Sequence, residues 1–172
     1  MDSLAKISLD IAKDIQADIP QHSKPPAEGF KSETDQIIPV SYVHKTRGYI
    51  EKLVNQINGC YEKGWFDACA VMIRRLCEIL IIEVYESRGM IANIQDLNGN
   101  YFSLDALIRC VTNEPSWNLN RFSKASLPKI ADAGNLSAHG NRYNAHVADI
   151  DLLIPGLRAT VQDLIKLSGI QK

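Results

Sequence analysis

The sequence predicts an all-α protein, a compact bundle of four or five main helices with a tethered N-terminal helix. Three observations carry this. From Trp65 to Tyr85 every residue is apolar except Asp67, Arg74, Arg75, Glu78 and Glu83, and no Gly or Pro interrupts the stretch before Gly89. That length suits a helix better than a strand. The other apolar runs recur at three- and four-residue steps, the helical period. The segment Gly59-Cys60-Tyr61-Glu62-Lys63-Gly64 is short enough to join two antiparallel helices.

The totals agree with one globular domain able to bury a real core. The chain has 172 residues, of which 45% are hydrophobic and 23% charged. The formal net charge is −1, so no global basic field favours strong non-specific nucleic-acid binding. Cys60, Cys69, Cys77 and Cys110 show no C-x-x-C spacing and read as reduced thiols. Met1 to Ile19 lacks the apolar core of a secretory signal, and the expected location is cytoplasmic. The Trp65–Tyr85 stretch is no membrane span, because each mid-segment charge costs roughly 2.5–3.5 kcal/mol at the bilayer centre.

Taken in order, Ser3 caps a first helix through about Ala17, with Leu4, Ile7, Ile11 and Ile15 on one stripe. This helix, residues 1–17, is read as an arm able to pack on its own domain or on a protein partner. Residues 18–41, with Pro20, Pro25, Pro26, Gly29 and Pro39, form a Pro-rich linker. Residues 42–172 form the bundle domain. Its first helix begins near Tyr42, turns Tyr49, Ile50, Leu53, Val54 and Ile57 inward, and ends at Gly59. The central helix follows, with Trp65, Phe66 and Tyr85 counted in the core. Asp67, Arg74 and Glu78 share a line on it, with Arg75 beside.

Asn98-Gly99-Asn100 marks a turn, with a tiny hairpin as one option around it. Ser103 caps a short helix carrying Leu104, Leu107, Ile108 and Val111. Residues 113–120 are irregular, with Trp117 and Leu119 plugging the core. Pro128 opens the next helix, capped by Ser126 or Leu127, and Gly140 closes it. Asp132, Asn135 and His139 share a face there. The last helix, about His146 to Leu167, carries the narrow seam Val147, Ile150, Ile154, Leu157, Val161, Leu164. Pro155 within it predicts a kink or a break.

The chemistry-bearing segment is Gly134-Asn135-Leu136-Ser137-Ala138-His139. A helical Asn and His at i and i+4 point the same way, and a histidine moves protons near neutral pH. The bland alternative is a polar helix face or a buried Asn–His pair. Likewise Arg74 and Glu78 read as an i, i+4 pair, with Arg75 meeting Asp132 on the neighbouring helix. The four histidines and four cysteines have no zinc-ligand spacing, and no Gly-rich loop has the context of a phosphate cradle. No cofactor or metal is expected.

The hairpin followed later by Gly134-Asn135-x-x-x-His139 resembles the HEPN superfamily of helical bundles. More closely it resembles an uncharacterised HEPN-like family of bacterial restriction and phage-defence contexts. The arginine pair and glutamate of that family match Arg74, Arg75 and Glu78. The resemblance spans about Tyr42 to Leu167. It implies a homodimer, for which the seam of the last helix is a candidate surface. Nuclease members of the superfamily are metal-independent ribonucleases whose motif Arg holds the scissile phosphate while His assists the ribose hydroxyl. Alignment on Asn135 and His139 puts Gly134 where that Arg belongs. The resulting expectation is a non-catalytic interaction or sensor protein of a bacterial defence or stress system. Its partner would be a protein, RNA or a nucleotide, held by Arg74, Arg75, Glu78 and Asp132. The alternative is a ribonuclease with a degenerate motif. In it His139 and Asn135 work with Arg142, or with Arg74 or Arg75, as the cation.

Overall fold

The structure is a computed structural model and describes residues 36–171, which belong to one compact unit, Asp35–Lys172. The predicted N-terminal helix and most of the predicted linker lie outside the described residues. Five α-helices account for the unit: α1 Gly48–Glu62, α2 Phe66–Ser87, α3 Leu104–Asn113, α4 Arg121–His139 and α5 Val147–Ser168. The only pairing of extended backbone among the described residues is the isolated antiparallel bridge Gln95–Tyr101. The fold is therefore all-α. The helix α2 is its centre and packs against each of the other four.

The helices α1 and α2 form the predicted hairpin, but the reversal falls later than expected. Gly59 stays helical and Gly64 takes φ +75°. The amide of Gly64 donates to the Tyr61 carbonyl and that of Trp65 to the Cys60 carbonyl, which is a Schellman closure. Only the residue that must adopt positive φ needs to be glycine, and here it is Gly64. The start of α1 also shifts. Val40–Tyr42 is a separate 3-10 turn, and Lys45 at φ +63° breaks the chain before Gly48.

Residues 36–39, read from sequence as linker, belong to the core. Ile37 and Ile38 are buried, and the Asn58 side chain exchanges two hydrogen bonds with the backbone of Ile38, at 3.1 and 2.8 Å. Arg158 of α5 donates to the carbonyls of Ile37 and Gln36 at 2.9 and 2.6 Å. This strap therefore ties α1 to α5. Between α2 and α3, the predicted turn holds Gly99 at φ +82° and the hairpin reduces to the single bridge. Ser103 is the first-turn boundary of α3, though its hydroxyl makes no capping bond.

The helix α4 begins seven residues earlier than Pro128 suggests. The Asn120 side chain caps it by accepting from the Phe122 amide at 2.9 Å. Pro128 and Pro155 both lie inside continuous helices, and both are exposed. On a solvent-facing side, water satisfies the carbonyl that proline leaves without a donor. The predicted break at Pro155 is absent. Close approach of α4 and α5 is set by Gly156, where a Cβ would lie 2.7 Å from the Ser126 Cβ. Trp117 plugs the core as predicted, its indole N–H donating to Val111 O and its ring meeting Tyr85 edge-on at 5.0 Å.

Two further expectations are corrected. Trp65 is 63% exposed, because it caps α2 from outside the bundle. The α5 seam is mostly spent within its own domain: Ile150, Leu157, Val161 and Leu164 are buried in the core, Ile154 is half-buried, and Val147 at its start is exposed. Finally, no described helix is long and apolar enough to cross a membrane.

Candidate functional site

The site forms where α2 crosses α4, and Gly134 explains the crossing. A Cβ at position 134 would lie 2.5 Å from Arg74 Cβ, 2.9 Å from Arg74 Cδ and 3.1 Å from the Ala70 carbonyl oxygen. The stem of Arg74 thus lies across the bare backbone of α4. This places its guanidinium at the next residue, where Arg74 Nε donates to Asn135 Oδ1 at 2.8 Å. One turn along α2, the Glu78 carboxylate stands 3.7 Å from Arg74 Nη1. Arg74 and Glu78 are each about one-third exposed, so this ion pair is half-screened and adds little by itself.

His139 lies one turn beyond Asn135. It is exposed and forms no hydrogen bond with a described residue. Asp132, Asn135, Leu136, His139 and Gly140 line a shallow open depression of about 500 Å³. Leu136 is 50% exposed and supplies its apolar wall. Asn135 accepts from Arg74 through its oxygen, which aims its amide donors away from the guanidinium. The arrangement offers amide donors, one apolar side chain and an exposed imidazole.

The sequence-predicted residues thus divide. Arg74, Glu78 and Asn135 come together, with His139 and Asp132 on the same helix face. Arg75 does not meet Asp132: both are exposed, and no ion pair joins them. Arg142 stands outside the site, exposed, at φ +67°, with no hydrogen bond or ion pair to a described residue. The buried Asn–His pair is not formed either, because His139 faces water. Among the described residues no cluster of three His, Cys, Asp or Glu side chains could hold a metal.

Two polar clusters escaped sequence reasoning. Asp67, at the first turn of α2, accepts from the Ala145 amide at 3.0 Å and so anchors the loop after α4. Glu83 is buried at 3% exposure, with the Tyr49 hydroxyl donating to it and Arg47 Nε 2.9 Å away. Burial pushes the Glu83 carboxyl above the usual carboxylate range, and Arg47 only partly offsets this. The signal was present in the sequence, since Glu83 lies off the charged line of α2. Nothing in the sequence named its partners across the hairpin.

Compared with protein-family models, curated proteins and solved structures, the chain matches none of them.

Proposed function

We propose that this chain is a non-catalytic, HEPN-like interaction or sensor module of a bacterial defence or stress system. It binds its partner, a protein or a nucleic acid, through the patch built by α2 and α4. The observation that supports this most is the filled space at Gly134. The HEPN ribonuclease motif needs an arginine there to hold the scissile phosphate. The Arg74 stem occupies the volume that such a side chain would require. Arg74 itself is engaged by Asn135 and Glu78. A guanidinium already paired with a carboxylate is poorly placed to stabilise a pentacoordinate phosphate, a role that requires a donor preorganised toward the developing charge.

The ribonuclease reading has one observation in its favour. An arginine does reach the Asn135–His139 face, from α2 rather than from the motif. Incubation of total RNA with purified protein in EDTA separates the two readings. The expected outcome is intact RNA with the wild type, and anisotropy of a labelled single-stranded RNA or a pull-down then assigns the partner class. Cleavage by the wild type that disappears in His139→Ala and Arg74→Ala proteins would overturn the binding reading. An effect of Arg142→Ala alone would move the cation to the loop after α4.

A further inference from the structure

The helix α5 starts beside the start of α2, through Asp67 and Ala145, and ends beside its end, where Arg88 donates to the Leu167 carbonyl at 3.3 and 3.1 Å. At this second end two hollows share Gly169 as a rim. One, of about 510 Å³, is lined by Tyr42, Gln162, Ile165, Lys166 and Gln171. The other, of about 490 Å³, is lined by Lys45, Thr46, Arg47 and Ile170. Three cations line the pair, and among the described residues no carboxylate does. Arg47 is held from behind. Its Nε stands 2.9 Å from the buried Glu83 carboxylate, which the Tyr49 hydroxyl also engages. A guanidinium fixed through Nε keeps its two outer nitrogens for a second partner. Lys45 takes φ +63°, which glycine or asparagine adopts more readily, and its amide donates to Glu51 Oε1 at 2.9 Å. The exposed Lys45 and Lys166 form no ion pair with a described residue. Arg88 answers an end carbonyl of α5, which leaves Lys166 for a ligand.

We propose that the two hollows form one docking cleft for an acidic peptide segment of a partner protein. Lys45, Arg47 and Lys166 take its carboxylates, and Tyr42, Ile165 and Ile170 supply the apolar wall. Charge complementarity and size select this occupant. A single small oxyanion would meet one hollow and leave the cations of the other unused. A peptide spans both, and its main chain finds amides on the way. Gln171 donates through Nε2 to the His44 carbonyl at 3.0 Å, so its oxygen remains to accept a peptide N–H, and Gln162 is exposed beside it. The cleft shares no residue with the α2–α4 patch and stands independently of the function proposed above.

Fluorescence anisotropy with the full chain tests it. The probe is a pool of labelled eight-residue peptides, each with three glutamates among mixed apolar residues, beside the same pool with glutamine for glutamate. The wild type is expected to bind the acidic pool and not the glutamine pool. Lys45→Gly and Lys166→Ala should each weaken binding about tenfold, the loss of one charge-assisted hydrogen bond. Lys45→Gly also relieves the positive φ, so its loss of binding is not a loss of fold. Lys129→Ala removes the same charge from exposed α4 and should leave binding unchanged. No binding by the wild type, equal binding of the glutamine pool, or an equal loss in Lys129→Ala would each overturn the proposal. Displacement of the peptides by an equal concentration of inorganic phosphate, or of single-stranded RNA, would overturn the choice of a peptide.

Discussion

At Gly134 two opposing effects can be weighed. Alanine is the better helix former by about 1 kcal/mol. Its Cβ, however, would have to sit 2.5 Å from the Arg74 Cβ and 3.1 Å from the Ala70 carbonyl oxygen, so two helices would have to move apart. Overpacking of this kind costs about 1–3 kcal/mol. Gly134→Ala is therefore expected to lower the free energy of unfolding, read by urea denaturation, and to weaken the Arg74–Asn135 bond. A variant as stable as the wild type would show that the crossing is loose. Position 134 also shows where sequence reasoning stops. The pattern marks a glycine standing where a motif expects arginine, but not that another arginine has taken its space from a helix about sixty residues upstream. Glu83 gives a second residue-scale test. Its carboxyl is raised above its unfolded value of 4.5, so the native state holds the proton more tightly than the unfolded chain does. The stability this contributes is complete below the unfolded value and is lost as pH rises through the folded one. Glu83→Gln keeps an acceptor for the Tyr49 hydroxyl and removes the buried charge. It should be more stable than the wild type near neutral pH, with the gain fading toward pH 4. A gain independent of pH would place the effect in packing.

At the scale of elements, the helices were legible because their apolar residues keep the helical period, and their ends were less so because ends are set by single contacts. The start of α4 is the clearest case. A proline that fits a first turn outweighed Asn120, whose side chain does the capping, because proline is conspicuous and a polar cap is not. Both helix-interior prolines should be removable. In Pro155→Ala the new amide can donate to the Asp151 carbonyl, and the exposed site needs no repacking. The expected gain lies below the ~3 kcal/mol helix-interior difference between the two residues, since the unfolded chain also gains freedom. A loss of stability would mean that proline shapes α5 for its contact with α4. The strap at residues 36–39 reads as linker in the sequence because Pro20, Pro25, Pro26 and Gly29 precede it and Pro39 lies within it. What fixes it is the Asn58 side chain, which mimics a strand partner for Ile38. Asn58→Ala deletes both bonds and leaves the backbone of Ile38 unpaired. It should cost about 2–3 kcal/mol, at roughly 1 kcal/mol per bond and more where a buried group is orphaned. Proteolysis should then cut near residues 36–39 before it cuts the helices.

At the scale of the molecule, the arrangement follows from α2 being too apolar to lie on a surface and too charged along one line to be enclosed. It becomes the hub, with α1, α3, α4 and α5 around it, and its charged line falls at the α4 crossing and an exposed arc. A hub that every other helix covers should be the last element to come apart. Two cysteines report on this directly. Cys69 and Cys77 sit on the covered side of α2, and burial pushes both thiols up to about 12. Cys60 and Cys110 are half-buried. In the native protein a thiol reagent at mildly alkaline pH should modify Cys60 and Cys110 first. Cys69 and Cys77 should react only through opening of α2, since both access and thiolate are denied to the reagent. Their labelling rates should rise with urea as steeply as global unfolding does, and should agree with each other. If Cys77 reacted with a shallow urea dependence while the circular dichroism stayed native, α2 would be opening locally. The core would then be held by α4 and α5 rather than by the central helix.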